Sequence, residues 1–133
     1  MPDPISTDDL RSAGPLPHAH FVRFDSAFEL ELGGALPNVT CAYETWGDLN
    51  ADASNAVLVC HAISGDSHAA RHDAGDEPGW WDHLIGPGRA IDTDRFFVVC
   101  PNVLGGCRGT TGPSELKPDA DPPRPYGAEF PTI

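Results

Sequence analysis

Residues 56–66 read Ala-Val-Leu-Val-Cys-His-Ala-Ile-Ser-Gly-Asp, an unbroken apolar run that is followed at once by a turn of small and polar residues. A second apolar run, Phe-Phe-Val-Val-Cys, occupies residues 96–100. Runs without alternation are typical of strands buried on both faces of a parallel sheet. Residues 61–95, which separate the two runs, are enough for a crossover connection. The sequence therefore predicts an α/β fold that contains two neighbouring parallel strands.

A β-hairpin is predicted before these strands. Residues 28–32 alternate apolar and acidic side chains, Gly33 and Gly34 supply a turn, and residues 39–46 form the returning strand. Helical signals are few, and the one candidate between the two apolar runs is a short helix at 80–84. Two doubly buried strands need helical layers on both faces of the sheet. We therefore expect an incomplete α/β domain.

Charge and composition exclude several classes of partner. The 133 residues carry 20 acidic side chains against 8 Lys and Arg, which gives a formal charge of −12. Nucleic acids and anionic membranes bind clustered Lys and Arg, so neither partner is expected. Because no apolar run approaches the roughly 20 residues of a membrane span and no signal-peptide pattern is present, we predict a cytoplasmic protein. Residues 1–24 are expected to be a flexible arm, and residues 25–133 one domain.

Loops that follow the strands of an α/β sheet are where such proteins bind ligands. The small-residue turn in 61–66 can aim backbone N–H groups at a developing oxyanion, although it can equally be a plain strand-exit turn. The second loop, 102–113, contains four glycines, and its Arg108 suits either an anion or a structural ion pair. Cys107 has no base beside it in the sequence, so we interpret it as a wall residue.

Two other chemical interpretations of this region are weak. Residues 65–69 are close to the Gly-x-Ser-x-Gly nucleophile elbow, but Ser67 lies seven residues beyond Cys60 and so too far from the strand. His68 and His72 have the i, i+4 spacing of zinc ligands on a helix. The residues around them are poor helix formers, so we expect solvated loop residues and predict no metal site. The four cysteines are interpreted as buried free thiols.

Taken together, these residues resemble the N-terminal part of the homoserine O-acyltransferases, a family of the α/β-hydrolase fold. The resemblance extends over about residues 25–133, with matching stretches at 43–47, 60–66, 79–81, 86–93, 102–113, 125–127 and 130–131. It implies the N-terminal portion of an α/β-hydrolase fold, a β-hairpin plus the first buried strands of the central sheet, truncated before the nucleophile elbow.

The resemblance implies a homoserine O-acetyltransferase of methionine biosynthesis. Such enzymes move an acyl group from acetyl-CoA to the hydroxyl of L-homoserine through an acylated Ser. In the family the catalytic Ser, Asp and His lie beyond the stretch matched here, so residues 1–133 are expected to be inactive alone. One oxyanion donor carries over, the backbone N–H of Ile63. The expected substrate-binding residues are Ala62, Ser64, Gly65, Asp66, Asn102, Gly105 and Arg108.

No bound cofactor is expected, since acetyl-CoA acts as a co-substrate, and the resemblance implies a homodimer for the full-length enzyme. A succinyl donor stays open because Arg71 or Arg108 could meet its free carboxylate. A serine acceptor stays open as well. Two further alternatives are an esterase of the same fold and a non-catalytic module that is stable only with a partner chain.

Overall fold

The computed structural model describes residues 16–106 and 108–133. The strands are β1 His20–Phe24, β2 Phe28–Glu29, β3 Ala35–Leu36, β4 Val39–Trp46, β5 Ala56–Leu58, β6 Ile85–Gly86, β7 Ile91–Asp92 and β8 Phe97–Pro101, with a 3-10 helix at Gly127–Glu129. The main sheet has four strands in the order β1-β4-β8-β5. No helix in the described ranges has the length and hydropathy that a membrane span needs.

The predicted parallel pair is confirmed. β5 and β8 run parallel, with Val57 opposite Val98 and Leu58 opposite Val99. Both strands end at the same edge of the sheet, so the loops that follow them lie next to each other. The predicted burial is correct for Val98, which is fully buried, but wrong for Leu58, which is 63% exposed. β8 lies between two strands, whereas β5 is at the edge of the described sheet.

The predicted hairpin is wrong in its pairing. β4 has the expected bounds, but it pairs antiparallel with β1 on one side and with β8 on the other. Residues 28–32 do not form one long strand, because the chain already turns at Leu30, whose carbonyl accepts the N–H of Gly33. Only the short β2–β3 ladder forms. β1 occupies the last five residues of the segment predicted as a flexible arm, whereas residues 1–15 lie outside the described residues.

The larger core cluster lies where β4 and β8 meet the crossover segment. Trp46, Val98 and Cys100 from the sheet pack there with Ala69, Ala70 and Ile85. The short helix predicted at 80–84 is wrong, since these residues form turns. The N–H groups of Trp80 and Trp81 donate to the carbonyls of His68 and Ala69. The segment is therefore bonded to the preceding loop, and that contact holds 68–70 against the core.

Gly47 offers a test of this packing. β4 is followed by Gly47 at φ 74, where an added Cβ would overlap the carbonyl oxygen of Phe96 and lie 2.6 Å from that of Thr93. Gly34 has a similar φ of 88 with open space around it. Both Gly47→Ala and Gly34→Ala pay about 1 kcal/mol for a left-handed backbone, but only the first must also displace backbone. We predict that Gly47→Ala lowers the free energy of unfolding by at least about 2 kcal/mol more than Gly34→Ala does.

Urea unfolding of the two variants measures this difference, with the parent protein as reference. Equal losses in the two variants would contradict the close approach of the segment 93–96 to the end of β4.

Candidate active-site loop

A groove of about 590 Å³ opens beside the loop that follows β5. It is lined by Cys60, His61, Ala62, Ser64, Gly65, Asp66, Trp80 and Trp81. The structure thus brings together four of the predicted site residues, namely Ala62, Ser64, Gly65 and Asp66. A second cleft of about 320 Å³, near Arg23, Thr40 and Tyr126, contains none of the predicted site residues.

The predicted oxyanion donor sits on a tight turn. The N–H of Gly65 donates to the carbonyl of Ala62 at 2.7 Å, which closes a four-residue turn with Ile63 and Ser64 at its corner. The hydrogen bond of the turn does not use the Ile63 N–H, and the Ile63 side chain is 96% exposed. Ile63 itself is not among the residues that line the groove. A closed turn fixes the directions of its backbone N–H groups before any ligand binds, which is what an oxyanion donor requires.

His61 joins this loop to the one that follows β8. Its Nε2 lies 3.2 Å from the backbone N of Val103, whose N–H can only donate, so Nε2 must accept. The ring proton is therefore on Nδ1, which donates to the carbonyl of Ala62 at 2.6 Å. The ring is buried, so this neutral tautomer connects the first residues of both loops.

A buried carboxylate, Glu44 on β4, anchors the other end of the groove loop. The side chain is fully buried, and its Oε1 accepts a hydrogen bond from the Ser67 hydroxyl at 3.0 Å. Its Oε2 faces His68 Nδ1 at 2.9 Å, while His68 Nε2 faces the carbonyl of Glu77 at 2.8 Å. Since both ring nitrogens meet acceptors, these contacts favour the ring that carries a proton on each nitrogen, the imidazolium.

The electrostatics agree with this protonation state. Burial disfavours the charged ring, but the hydrogen bonds to Glu44 and Glu77 and the nearby carboxylates of Glu44 and Asp76 outweigh it, so the pKa of His68 is raised above 6.5. The pKa of the Cys100 thiol is raised as well, which for a thiol favours the neutral form. Burial, with a further contribution from the Glu44 charge, raises its pKa to about 12 and keeps it protonated.

His72 and Asp76 lie next to Glu44 and His68, and both contact His18 from the N-terminal part of the described chain. The His72 ring stacks between Trp46 and His18, with centroid distances of 5.0 and 4.3 Å. Asp76 Oδ2 accepts the His72 backbone N–H at 2.9 Å and lies 3.1 Å from His72 Nδ1. Burial raises the pKa of Asp76, but these bonds lower it more. The prediction of solvated histidines is wrong, because the side chains of His68 and His72 are only 13% and 19% exposed.

The same cluster contains the described residues that could hold a metal ion. Ligand atoms of Glu44, His68 and His72 lie within 4.8 Å of one another, as do those of His18, His72 and Asp76. Ligand atoms around a tetrahedral zinc stand roughly 3.3 Å apart, whereas Glu44 Oε2 and His68 Nδ1 are at a hydrogen-bonding distance of 2.9 Å. A proton fits this gap better than a metal ion, and the absence of a metal cofactor stays a prediction.

The second loop contributes less to the groove than the sequence predicts. Asn102 is buried, and Gly105 faces Phe130 and Ile133, so neither lines the groove. Arg108 does approach it, with Nε 3.7 Å from Asp66 Oδ2. Its φ of 73 is unusual for a residue with a side chain, and such strain is common at functional sites.

The candidate nucleophiles are placed as follows. Ser67 is fully buried and bonded to Glu44, so it cannot act as a nucleophile in the groove. Cys41, Cys60 and Cys100 are free thiols. The predicted burial is correct for Cys100 but wrong for Cys60, which is exposed on the groove wall. Cys107 lies outside the described residues.

Comparison with known proteins gives consistent results. No protein-family model matches the chain. The bifunctional methionine biosynthesis protein MetXA/MetW of Rhodopirellula baltica is 66% identical over 98% of the chain and 21% of its own length. A homoserine O-acetyltransferase of Thermobifida fusca is 52% identical over 96% of the chain and 34% of its own length. A homoserine O-succinyltransferase of Acidithiobacillus ferrooxidans is 47% identical over 100% of the chain and 34% of its own length.

Solved structures show the same similarity. The crystal structure of homoserine O-acetyltransferase from Bacillus anthracis matches with a TM-score of 0.73 and 38% identity, over 89% of this chain and 33% of that one. A crystallised esterase matches with a TM-score of 0.71 and 39% identity, over 86% of this chain and 33% of that one. The chain therefore has part of an α/β-hydrolase fold, as the sequence predicts.

Within that class, the resemblance seen in the sequence is confirmed, and the chain belongs to the homoserine O-acyltransferase family. It spans between about a fifth and a third of the length of the curated relatives given above.

The charge on His68 predicts a pH dependence of stability. Its pKa is raised in the folded protein from 6.5, so its contribution is fully present below about pH 6.5 and is lost as the pH rises through the folded pKa. His68→Gln keeps a donor but removes the charge. We predict that the excess stability of the parent over this variant is largest at about pH 6 and shrinks toward about pH 9.

Chemical denaturation at a series of pH values measures this difference. His83→Gln, the same substitution at an exposed position, is the control for the chemical change itself. A parent–His68→Gln difference that stays constant over the same range would contradict a charged His68.

Proposed function

We propose that the protein containing this chain is a homoserine O-acetyltransferase of methionine biosynthesis, which transfers the acetyl group of acetyl-CoA to the hydroxyl of L-homoserine. The observation that carries this proposal is the fixed turn at 62–65 beside the groove, in a chain 52–66% identical to relatives named for this activity or for methionine biosynthesis. No resident cofactor or metal is proposed, and the whole protein is proposed to be cytoplasmic and homodimeric.

In this mechanism the chain supplies charge stabilisation. When the acyl carbonyl is attacked, its oxygen becomes an oxyanion, and the N–H of Ile63 is proposed as one of the donors that hold it. The exposure of Ile63 and the bond from Gly65 to Ala62 support this role. Ala62, Ser64, Gly65 and Asp66 are proposed to line the substrate site. The nucleophile and its base are proposed to come from the part of the protein outside residues 1–133.

The acyl donor is proposed to be acetyl-CoA. Arg71, one of the two arginines suited to a succinyl carboxylate, donates from its backbone N–H and its Nε to Asp82. Arg108 stands 3.7 Å from Asp66, which already offers it a negative charge. Both cations are therefore matched by carboxylates, which disfavours a second anionic partner. L-Homoserine is the proposed acceptor, following the names of the relatives.

Esterase activity is the second candidate. The observation that favours it is the similarity to a crystallised esterase, which equals that to the solved homoserine O-acetyltransferase to within a few hundredths in TM-score. The two activities share the oxyanion hole and differ in the group that takes up the acyl chain, water or an amino-acid hydroxyl.

Activity can be tested in a chimera in which residues 16–133, which include β1, replace the matching segment of the Thermobifida fusca enzyme. We predict homoserine-dependent release of CoA from acetyl-CoA, with kcat/KM at least about tenfold above that for succinyl-CoA, which corresponds to about 1.4 kcal/mol. Residues 1–133 alone should give no turnover, because the family resemblance assigns them no nucleophile. A preference for succinyl-CoA would overturn the proposed donor, and acetyl ester hydrolysis that homoserine does not divert would favour the esterase.

The oxyanion donor can be tested in the same chimera. Ile63→Pro removes the N–H, and we predict that kcat falls by about 10²–10³-fold, as for the loss of one oxyanion donor in other acyl-transfer enzymes. Ile63→Ala keeps the N–H and removes an exposed side chain, so its kcat should stay within about threefold of the parent. If both variants lose kcat equally, the N–H of Ile63 is not the donor.

A further inference from the structure

We propose that Glu44 and His68 act as positioning residues, a buried charge pair that fixes the groove loop 61–66 in the geometry needed for acyl transfer. The inference rests on the proposed function for its kinetic consequence. The claim that the pair fixes the loop 61–66 rests only on the contacts of Glu44 and His68.

The first step is the cost of the Glu44 charge. Glu44 is fully buried in β4, and its ion-pair partners among the described residues are His68 at 2.9 Å and His72 at 3.6 Å. A buried carboxylate without a partner is strongly destabilising. No Lys or Arg in the described part of the chain forms an ion pair with Glu44, so the charge is matched by imidazole alone. Residues 67 and 68 therefore cannot leave Glu44 without exposing an uncompensated buried charge.

The second step connects the pair to the groove. The backbone N–H of His68 donates to Asp66 Oδ1 at 3.0 Å, and the Trp80 indole N–H donates to the carbonyl of Asp66 at 3.0 Å. Asp66 and Trp80 both line the groove. His68 and Trp80 thus hold Asp66 through separate hydrogen bonds, one to its carboxylate and one to its carbonyl. Movement of His68 would be transmitted to the groove through this hydrogen bond and through the chain, in which only Ser67 separates His68 from Asp66.

The third step concerns the other end of the loop. His61 is fixed by the Val103 N–H, and Gly65 is bonded to Ala62 across the turn. Glu44 binds residues 67 and 68, so the loop that carries the Ile63 N–H is restrained at both ends. The hydrogen bond between Gly65 and Ala62 restrains its centre. Such restraint is what an oxyanion donor requires, because misplacement of about 1 Å can cost about 10²-fold in rate.

Other titratable groups surround His68 and must be considered in any pH profile. Asp76 Oδ2 lies 3.9 Å from His68 Nε2, the His72 ring is 6.1 Å away, and His18 contacts Asp76 at 3.7 Å. Glu77 contributes only its carbonyl to His68. The pKa of Asp76 is lowered, so this carboxylate stays charged across the neutral range and favours the imidazolium, as Glu44 does. Loss of the His68 proton removes one of its two ring hydrogen bonds and leaves Glu44 poorly compensated.

The experiment compares Glu44→Gln with Glu29→Gln, the same chemical change at an exposed position, in the chimera. Two readouts are taken, hydrogen exchange of the amides in 61–66 and the pH dependence of kcat and KM. We expect Glu44→Gln to speed amide exchange in 61–66 by at least about tenfold, lower kcat by about 10–100-fold with KM within about threefold, and shift the alkaline fall of kcat to lower pH. Glu29→Gln should match the parent.

Unchanged exchange in a folded Glu44→Gln variant would overturn the proposal, as would a lower kcat whose alkaline fall does not move. If Glu44→Gln does not fold, Ser67→Ala takes its place, since it removes one bond to Glu44 and keeps the charge pair. It should speed exchange in 61–66 without moving the alkaline fall, and unchanged exchange would overturn the proposal. If the parent chimera lacks acyltransferase activity, the proposed function fails, and the exchange measurement still decides the role of the pair.

Discussion

A carboxylate buried in the middle of a sheet must be given a positive partner, and much of the described structure follows from how this chain does so. Glu44 has no exposed surface, and its neighbours are a hydroxyl and a protonated imidazole from Ser67 and His68. Satisfying this charge determines the path of the backbone after the groove loop. It also explains why residues 66–70, with no regular secondary structure, lie against the core.

The sheet adds the second half of the arrangement. Because β5 and β8 are parallel neighbours, the loops after them start side by side, and His61 and Val103 can bond across the gap. The groove is therefore built by two restraints of different kinds. One is a neutral histidine in a fixed tautomer at the start of the loop, and the other is an ionic pair at its end. Between them, the turn around Ile63 is exposed, as a loop that receives a ligand must be.

The sequence predicted the elements that depend on local pattern and missed those that depend on register. The apolar runs at 56–60 and 96–100 identified the parallel pair, and the small-residue turn after the first run identified the groove loop. The contact of Glu44 with His68 joins residues 24 positions apart, and no local pattern marks it. The hairpin failed for a related reason, since β4 pairs with β1, which lies in a segment without a clear alternating pattern.

The central claim is that an imidazolium at position 68 compensates Glu44, and nitrogen NMR of the histidine rings tests it most directly. The account predicts a folded-state titration midpoint for His68 above 6.5, with both ring nitrogens protonated below that midpoint and a lower midpoint in Glu44→Gln. A neutral His68 at about pH 6, or a midpoint that Glu44→Gln leaves unchanged, would contradict the account.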